Sequence, residues 1–148
     1  MSVVQRGEPD HDCEQAEEII GRLLDLSRRM HTHFDASTAA LGLTPAEGHV
    51  LHRLDAPAPM RSMADSLCCD ASYITAIADR LEAHGLVTRE ADPADRRVRQ
   101  LALTDRGRAL REQLVSAIHA STPATVGLDA AQRDSLLGLL RLVTPTER

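Results

Sequence analysis

Aromatic residues are almost missing from this chain of 148 residues: Phe34, Tyr73 and no Trp. The core must therefore be built from Leu, Ile, Val, Met and Ala. Lysine is absent too, so every basic side chain is Arg. No apolar run approaches the roughly 20 residues that a membrane span needs. The opening residues, MSVVQRGEPDHDCEQ, contain no apolar h-region, and no signal peptide is expected. Three cysteines, an odd number, do not make a disulfide framework. The expectation is a reduced, cytoplasmic protein without membrane association. There is no Gly-rich phosphate loop, no nucleophile motif and no pair of acids in a recognisable setting, so neither an enzyme nor a resident cofactor is expected.

What is present is ordinary for a single globular domain: 43% hydrophobic and 26% charged residues. The net charge of −5 argues at first against nucleic acid. Its distribution argues the other way. Residues 1–50 hold four Arg and nine acids, whereas residues 86–111 hold seven Arg against Glu90, Asp92, Asp95 and Asp105. A local basic surface, not the overall charge, is what meets phosphate.

Residues 1–12 read as a disordered lead-in. From Cys13 to Leu41, Ile19, Ile20, Leu23, Leu24, Leu26, Met30 and Phe34 recur at three- and four-residue spacings, the pattern of a long amphipathic helix ending at Gly42. Thr44-Pro45-Ala46-Glu47 is a capping box with Pro at the first helical position. Ala56-Pro57-Ala58-Pro59 stops that helix. Ser62 with Asp65 predicts a short helix to Leu67, and Asp70 caps another to His84, with Ile74, Ile77 and Leu81 inward. Two helices joined by a short turn form a helix-turn-helix pattern. Leu86–Glu90 and Val98–Leu103 flank the polar turn 91–97 and predict a hairpin. Thr104 or Asp105 caps a further helix that ends before Pro123. Asp129 and Gln132 open the last helix, which Thr144-Pro145 ends.

The strings Leu81-Glu82-Ala83-His84-Gly85-Leu86-Val87, Asp92-Pro93-Ala94-Asp95-Arg96-Arg97 and Leu101-Ala102-Leu103-Thr104-Asp105-Arg106-Gly107 resemble the MarR family of winged helix-turn-helix transcription regulators. The likeness covers nearly the whole chain, and the D-x-R element followed by L-x-L-T-x-x-G is specific. It implies a mainly α fold with a small β-hairpin: one domain over residues 1–148. Residues 44–104 would form the DNA-binding lobe, and 13–42 and 105–148 the dimerisation helices. It further implies a homodimer on a near-palindromic operator in double-stranded DNA. Most members repress, and many are released by a small anionic or phenolic effector bound near the junction of the two lobes.

By this resemblance the second helix of the pair enters the major groove, where its first residues meet base edges. Ser72, Tyr73 and Thr75 are the candidate contacts there. Where Ala76 sits, family members often carry a basic or long polar side chain, so the wing is expected to carry more of the affinity. Arg96, Arg97 and Arg99 lie on or beside the hairpin turn. Arg97 would be the residue inserted into the minor groove, where the potential is most negative, with Asp95 orienting its guanidinium. Ser62, opening the first helix of the pair, is either a phosphate-binding helix start or a plain cap.

Cys68 and Cys69 occupy the turn, where the family often has Gly at the first position. They are either a thiol switch on the DNA-binding turn or a tolerated substitute beside a small hydrophobe. Cys13 lies near the start of the first helix, as in a peroxide-sensing branch, but among polar neighbours. The seven histidines include His49 and His52 on one helix face, with His31 and His33 on the long helix. They do not show the three or four converging ligands that a zinc site requires, so no metal is expected. Two alternatives stay open beside the ligand-released repressor: a thiol-based redox regulator of the same fold, and a winged-helix protein–protein module without DNA.

Overall fold

The computed structural model describes residues 10–144. The lead-in expected over residues 1–12 lies outside this range up to residue 9, as do Pro145 and the residues after it. Six helices and three strands follow in the order α1 (Asp10–Ala40), α2 (Pro45–Arg53), β1 (Ala58–Pro59), α3 (Met60–Ser66), α4 (Ala71–Ala83), β2 (Val87–Ala91), β3 (Arg99–Leu103), α5 (Asp105–Ala120) and α6 (Ala130–Val143). The first helix begins at Asp10 rather than Cys13, so residues 10–12 are helical and not lead-in. No described helix is long and apolar enough to cross a membrane.

The chain divides into two compact units. One holds residues 33–121 and the other residues up to 32 together with those from 122. In the first unit, α2 starts at the expected capping box. The Thr44 side chain accepts the Glu47 N–H, and the Glu47 carboxylate accepts the Thr44 N–H at 2.8 Å. The core comprises Val50, Leu51 and Leu54 of α2 and its C-cap, Met63 of α3, Ile74, Ile77 and Leu81 of α4, and Leu86, Val87 and Leu101 around the sheet. All are aliphatic, as the dearth of aromatics requires.

The sheet is antiparallel in the order β1-β3-β2, with Val87 opposite Leu103 and Ala91 opposite Arg99. Its third strand corrects the expectation from sequence. Ala58 and Pro59 do more than stop α2; they pair with Leu101 and Gln100. Proline, which cannot donate to a ladder, is tolerated because β1 is an edge strand. As the middle strand, β3 buries Gln100, Leu101 and Ala102 in succession instead of alternating.

The pairing of β1 also moves the start of α3. The helix begins at Met60 with Pro59 as its cap position, and no side chain caps it. Ser62 is therefore an exposed residue inside the first turn, not the opening of a capping box with Asp65.

The second unit is apolar on its surface. Ile19, Ile20, Leu23 and Leu24 of α1, and Leu137, Leu139, Leu142 and Val143 of α6, are exposed, and α6 buries none of its residues. Asp129 and Gln132 form the capping box expected at the start of α6.

Candidate nucleic-acid interface

Three residues of α3's end and the following turn set the start of α4. Cys68 adopts φ +50°, the only positive φ of a non-glycine among the described residues. The Cys69 N–H reaches back to the Ala64 carbonyl at 3.1 Å. This is the left-handed turn position at which the family tends to use Gly. Asp70 then occupies the N-cap position of α4, but its carboxylate caps nothing. The Tyr73 and Ile74 N–H groups bond the Asp70 carbonyl at 3.0 and 3.2 Å, and the amides before them have no side-chain cap.

The inward face of α4 is fully used by the core, so its remaining side chains point to solvent. Ser72, Tyr73 and Thr75 are exposed, Tyr73 by 51%. The Thr75 hydroxyl donates to the Ala71 carbonyl at 2.8 Å, so it meets an outside partner chiefly as an acceptor.

The wing tip is folded by two aspartates. Asp92 accepts the Ala94 N–H at 2.7 Å and the Asp95 N–H at 3.4 Å. Asp95 accepts the Arg97 backbone N–H at 3.0 Å. Short acidic side chains bonding amides two residues on are the usual means of closing such turns. The carboxylate–guanidinium pair expected between Asp95 and Arg97 is absent. Through its Oδ1 Asp95 shapes the turn at the backbone. Arg96, Arg97 and Arg99 are exposed and carry no ion pair among the described residues.

The basic surface is smaller than the seven arginines of residues 86–111 suggested. Arg89 of β2 bonds Asp79 and Glu82 of α4, the latter at 2.7 Å, and also reaches the Thr75 carbonyl at 3.4 Å. Arg108 pairs with Asp105 and donates to the Leu103 carbonyl. Arg111 is half-buried. Arg96, Arg97, Arg99 and Arg106 are left exposed and without an ion pair among the described residues. Sequence reasoning missed the role of Arg89. It ties the strand that carries the wing to the helix that carries Ser72, Tyr73 and Thr75.

The L-x-L-T-x-x-G string has a packing cause. Thr104 caps α5 by accepting the Gly107 N–H at 3.0 Å, and its hydroxyl donates to the Gly85 carbonyl at 2.7 Å. A Cβ on Gly107 would lie 1.9 Å from the Leu86 carbonyl oxygen, so only glycine lets α5 approach the α4–β2 turn.

The chain is a winged helix-turn-helix protein, and its relatives agree. The MarR family model matches residues 43–98, from before α2 to the wing tip. The HTH-type transcriptional regulator YkoM of Bacillus subtilis (strain 168), itself uncharacterized, is 32% identical over 104 residues, covering 68% of this chain and 67% of YkoM. This chain belongs to the MarR family. The apo structure of MarR from E. coli superposes with a TM-score of 0.69 at 27% identity, over 84% of this chain and 96% of MarR. A mutant of that MarR has been solved in complex with operator DNA, with a TM-score of 0.65 at 26% identity, over 85% of this chain and 94% of that one. CouR of Rhodococcus jostii RHA1, solved with p-coumaroyl-CoA, gives 0.66 at 26% identity over 87% and 94%. Proteins of the MarR family are DNA-binding transcription regulators.

Among the described residues, no group of three His, Cys, Asp or Glu side chains is placed to hold a metal ion. The His11 side chain lies outside the described residues. Phe34 instead stacks on His49 at 4.1 Å between ring centroids and meets His52 edge-on at 5.9 Å. His33 Nε2 lies 2.9 Å from the Ile118 carbonyl. Burial lowers the pKa of His52, and the charges of Arg111, Arg53, His119 and His49 lower it further. Cys13 and Cys68 are exposed, and Cys69 is half-buried against the core.

Proposed function

We propose that this MarR-family protein is a homodimeric, sequence-specific DNA-binding repressor that a small effector releases, acting by binding and not by turnover. The observation that carries the DNA reading is the wing tip. Two aspartates each turn one carboxylate oxygen to backbone amides, and the guanidinium groups of Arg96 and Arg97 stand exposed and without an ion pair at the end of a hairpin. Such groups suit the narrow minor groove. In the same reading, Ser72, Tyr73 and Thr75 meet base edges in the major groove, while Ser62, Arg99 and the uncapped start of α4 meet phosphates. The MarR relative solved with operator DNA supports the DNA-binding reading as a whole.

The exposed apolar residues of α1 and α6 support the dimer. An apolar surface of this extent on a single chain marks an interface, and a two-fold partner brings the second winged unit that a near-palindromic operator requires. For the effector, the support is local charge. Arg111 Nε is buried with no hydrogen-bond partner among the described residues. The guanidinium groups of Arg111 and Arg53 are among the charges that lower the pKa of His52. A small anionic or phenolic compound would meet that excess, and the relative solved with p-coumaroyl-CoA takes an acidic ligand.

The test is binding to DNA from the protein's own upstream region across a range of salt. The reading expects a dimer that binds this DNA more tightly than random DNA, with affinity falling steeply as salt rises through counterion release. Salt-independent binding, or no preference at any salt, would favour a protein–protein module instead.

A further inference from the structure

Cys68 and Cys69 stand side by side in the helix-turn-helix turn, and both open onto one cavity of about 430 Å³. Leu67, Tyr73 and Ile77 give this cavity an apolar lining, and His49 and Arg53 of the α2 segment add polar groups. We propose that this vicinal dithiol is a chelating site for a trivalent organic arsenical, with both sulfurs on arsenic and the organic substituent in the cavity. Chelation would then loosen DNA, a consequence that rests on the DNA-binding reading above.

Three geometric arguments choose this ligand. A direct disulfide is disfavoured, because adjacent Cα atoms are about 3.8 Å apart, below the roughly 4.4–6.8 Å that disulfides span. A bridging atom relieves that shortfall. A tetrahedral metal is disfavoured, because it needs three or four ligands, and no third His, Cys, Asp or Glu completes such a group among the described residues. A linear two-coordinate cation would force its sulfurs to opposite sides, a strained demand on a ring closed through two adjacent residues. Pyramidal trivalent arsenic takes two sulfurs on one side and keeps one organic substituent, for which the cavity provides an apolar surface.

The chemistry balances without a co-reactant. An arsenoxide, R–As=O, accepts both thiols. Two As–S bonds form, the oxide oxygen leaves as water with the two thiol protons, and arsenic stays trivalent. The ring then spans the left-handed residue Cys68 and draws on Cys69, whose Sγ lies 3.9 Å from the Ala64 carbonyl. Cys69 directly precedes Asp70, the N-cap position of α4. Chelation therefore strains the start of the helix that carries Ser72 and Tyr73, and sets the substituent against Tyr73.

The test adds phenylarsine oxide to the full chain and follows intact mass, free thiols and DNA affinity. The wild type should gain one phenylarsenic group, lose two titratable thiols, and release the adduct to a small dithiol but not to a monothiol. Cys13→Ser should behave identically. Cys68→Gly keeps the turn, since glycine takes a positive φ readily; it and Cys69→Ala should give only adducts that a monothiol reverses. DNA affinity should fall about tenfold, a usual size for coupled sites, in the wild type and in Cys13→Ser but not in Cys68→Gly. Chelation that survives Cys68→Gly, or that a monothiol reverses in the wild type, overturns the site. A stable adduct with unchanged DNA affinity overturns its regulatory half. If the untreated chain binds no DNA, the DNA-binding reading fails, and the mass and thiol measurements still decide the site.

Discussion

Asp95 lies two residues before Arg97, yet it accepts that residue's backbone N–H, not its guanidinium. Two substitutions separate these roles. Asp95→Asn keeps a side-chain acceptor and should leave DNA affinity nearly unchanged, whereas Asp95→Ala frees the turn and should weaken it. Equal losses in both, read by fluorescence anisotropy, would restore an ion-pair role. Gly107→Ala drives a methyl into the Leu86 carbonyl and should cost at least about 2 kcal/mol, read by urea unfolding. Wild-type stability there would contradict the close packing of α5. Glu47 is buried at 3% exposure. Burial raises its pKa, but the hydrogen bonds from the Thr44 N–H and hydroxyl, helped by the charges of Arg80 and His84, bring it below the ordinary 4.5. A carboxyl whose folded pKa is depressed adds stability above its unfolded pKa and loses it as pH falls through the folded value. Glu47→Gln should therefore flatten the loss of stability below about pH 4.5, and an unchanged acid limb in urea midpoints would exclude this residue as its source.

At the scale of elements, Arg89 is the joint between wing and recognition helix. Arg89→Ala should weaken specific and non-specific DNA binding alike and shift the melting temperature down. Intact affinity in a destabilised protein would confine Arg89 to folding. This joint also shows what the sequence could and could not reveal. The helices were legible because their signals are local: the Thr44 and Asp129 capping boxes, the apolar spacing of Ile74, Ile77 and Leu81, and the polar turn between two short apolar runs. The candidate DNA residues were legible as exposed positions because they follow from those helix phases. What stayed hidden depends on partners distant in the chain. Ala58-Pro59 is a strand only because Leu101 and Gln100 lie beside it, and that pairing displaced Ser62 from the cap. Arg89 reads as one more basic residue until Asp79 and Glu82 close on it. The family likeness reached further than periodicity at Cys68, where it pointed to a left-handed residue that local pattern does not encode.

For the whole molecule, a net charge of −5 is compatible with DNA because the wing presents Arg96, Arg97 and Arg99 exposed and without an ion pair. Leu23→Glu with Leu139→Glu places charge on both exposed apolar helices and should shift the protein to monomer in sedimentation, with loss of operator binding. A persistent dimer would move the interface elsewhere. That an exposed wing arginine without an ion pair and a polar helix face read DNA together is tested most directly by one comparison. Binding of wild type and Arg97→Ala to the upstream DNA and to random DNA is measured across salt. Arg97→Ala should bind both DNAs more weakly, with a salt slope smaller by about 1 for each phosphate that the guanidinium neutralises, while the wild type keeps its preference for the upstream sequence. Equal affinities and equal slopes for the two proteins would remove the wing from DNA recognition.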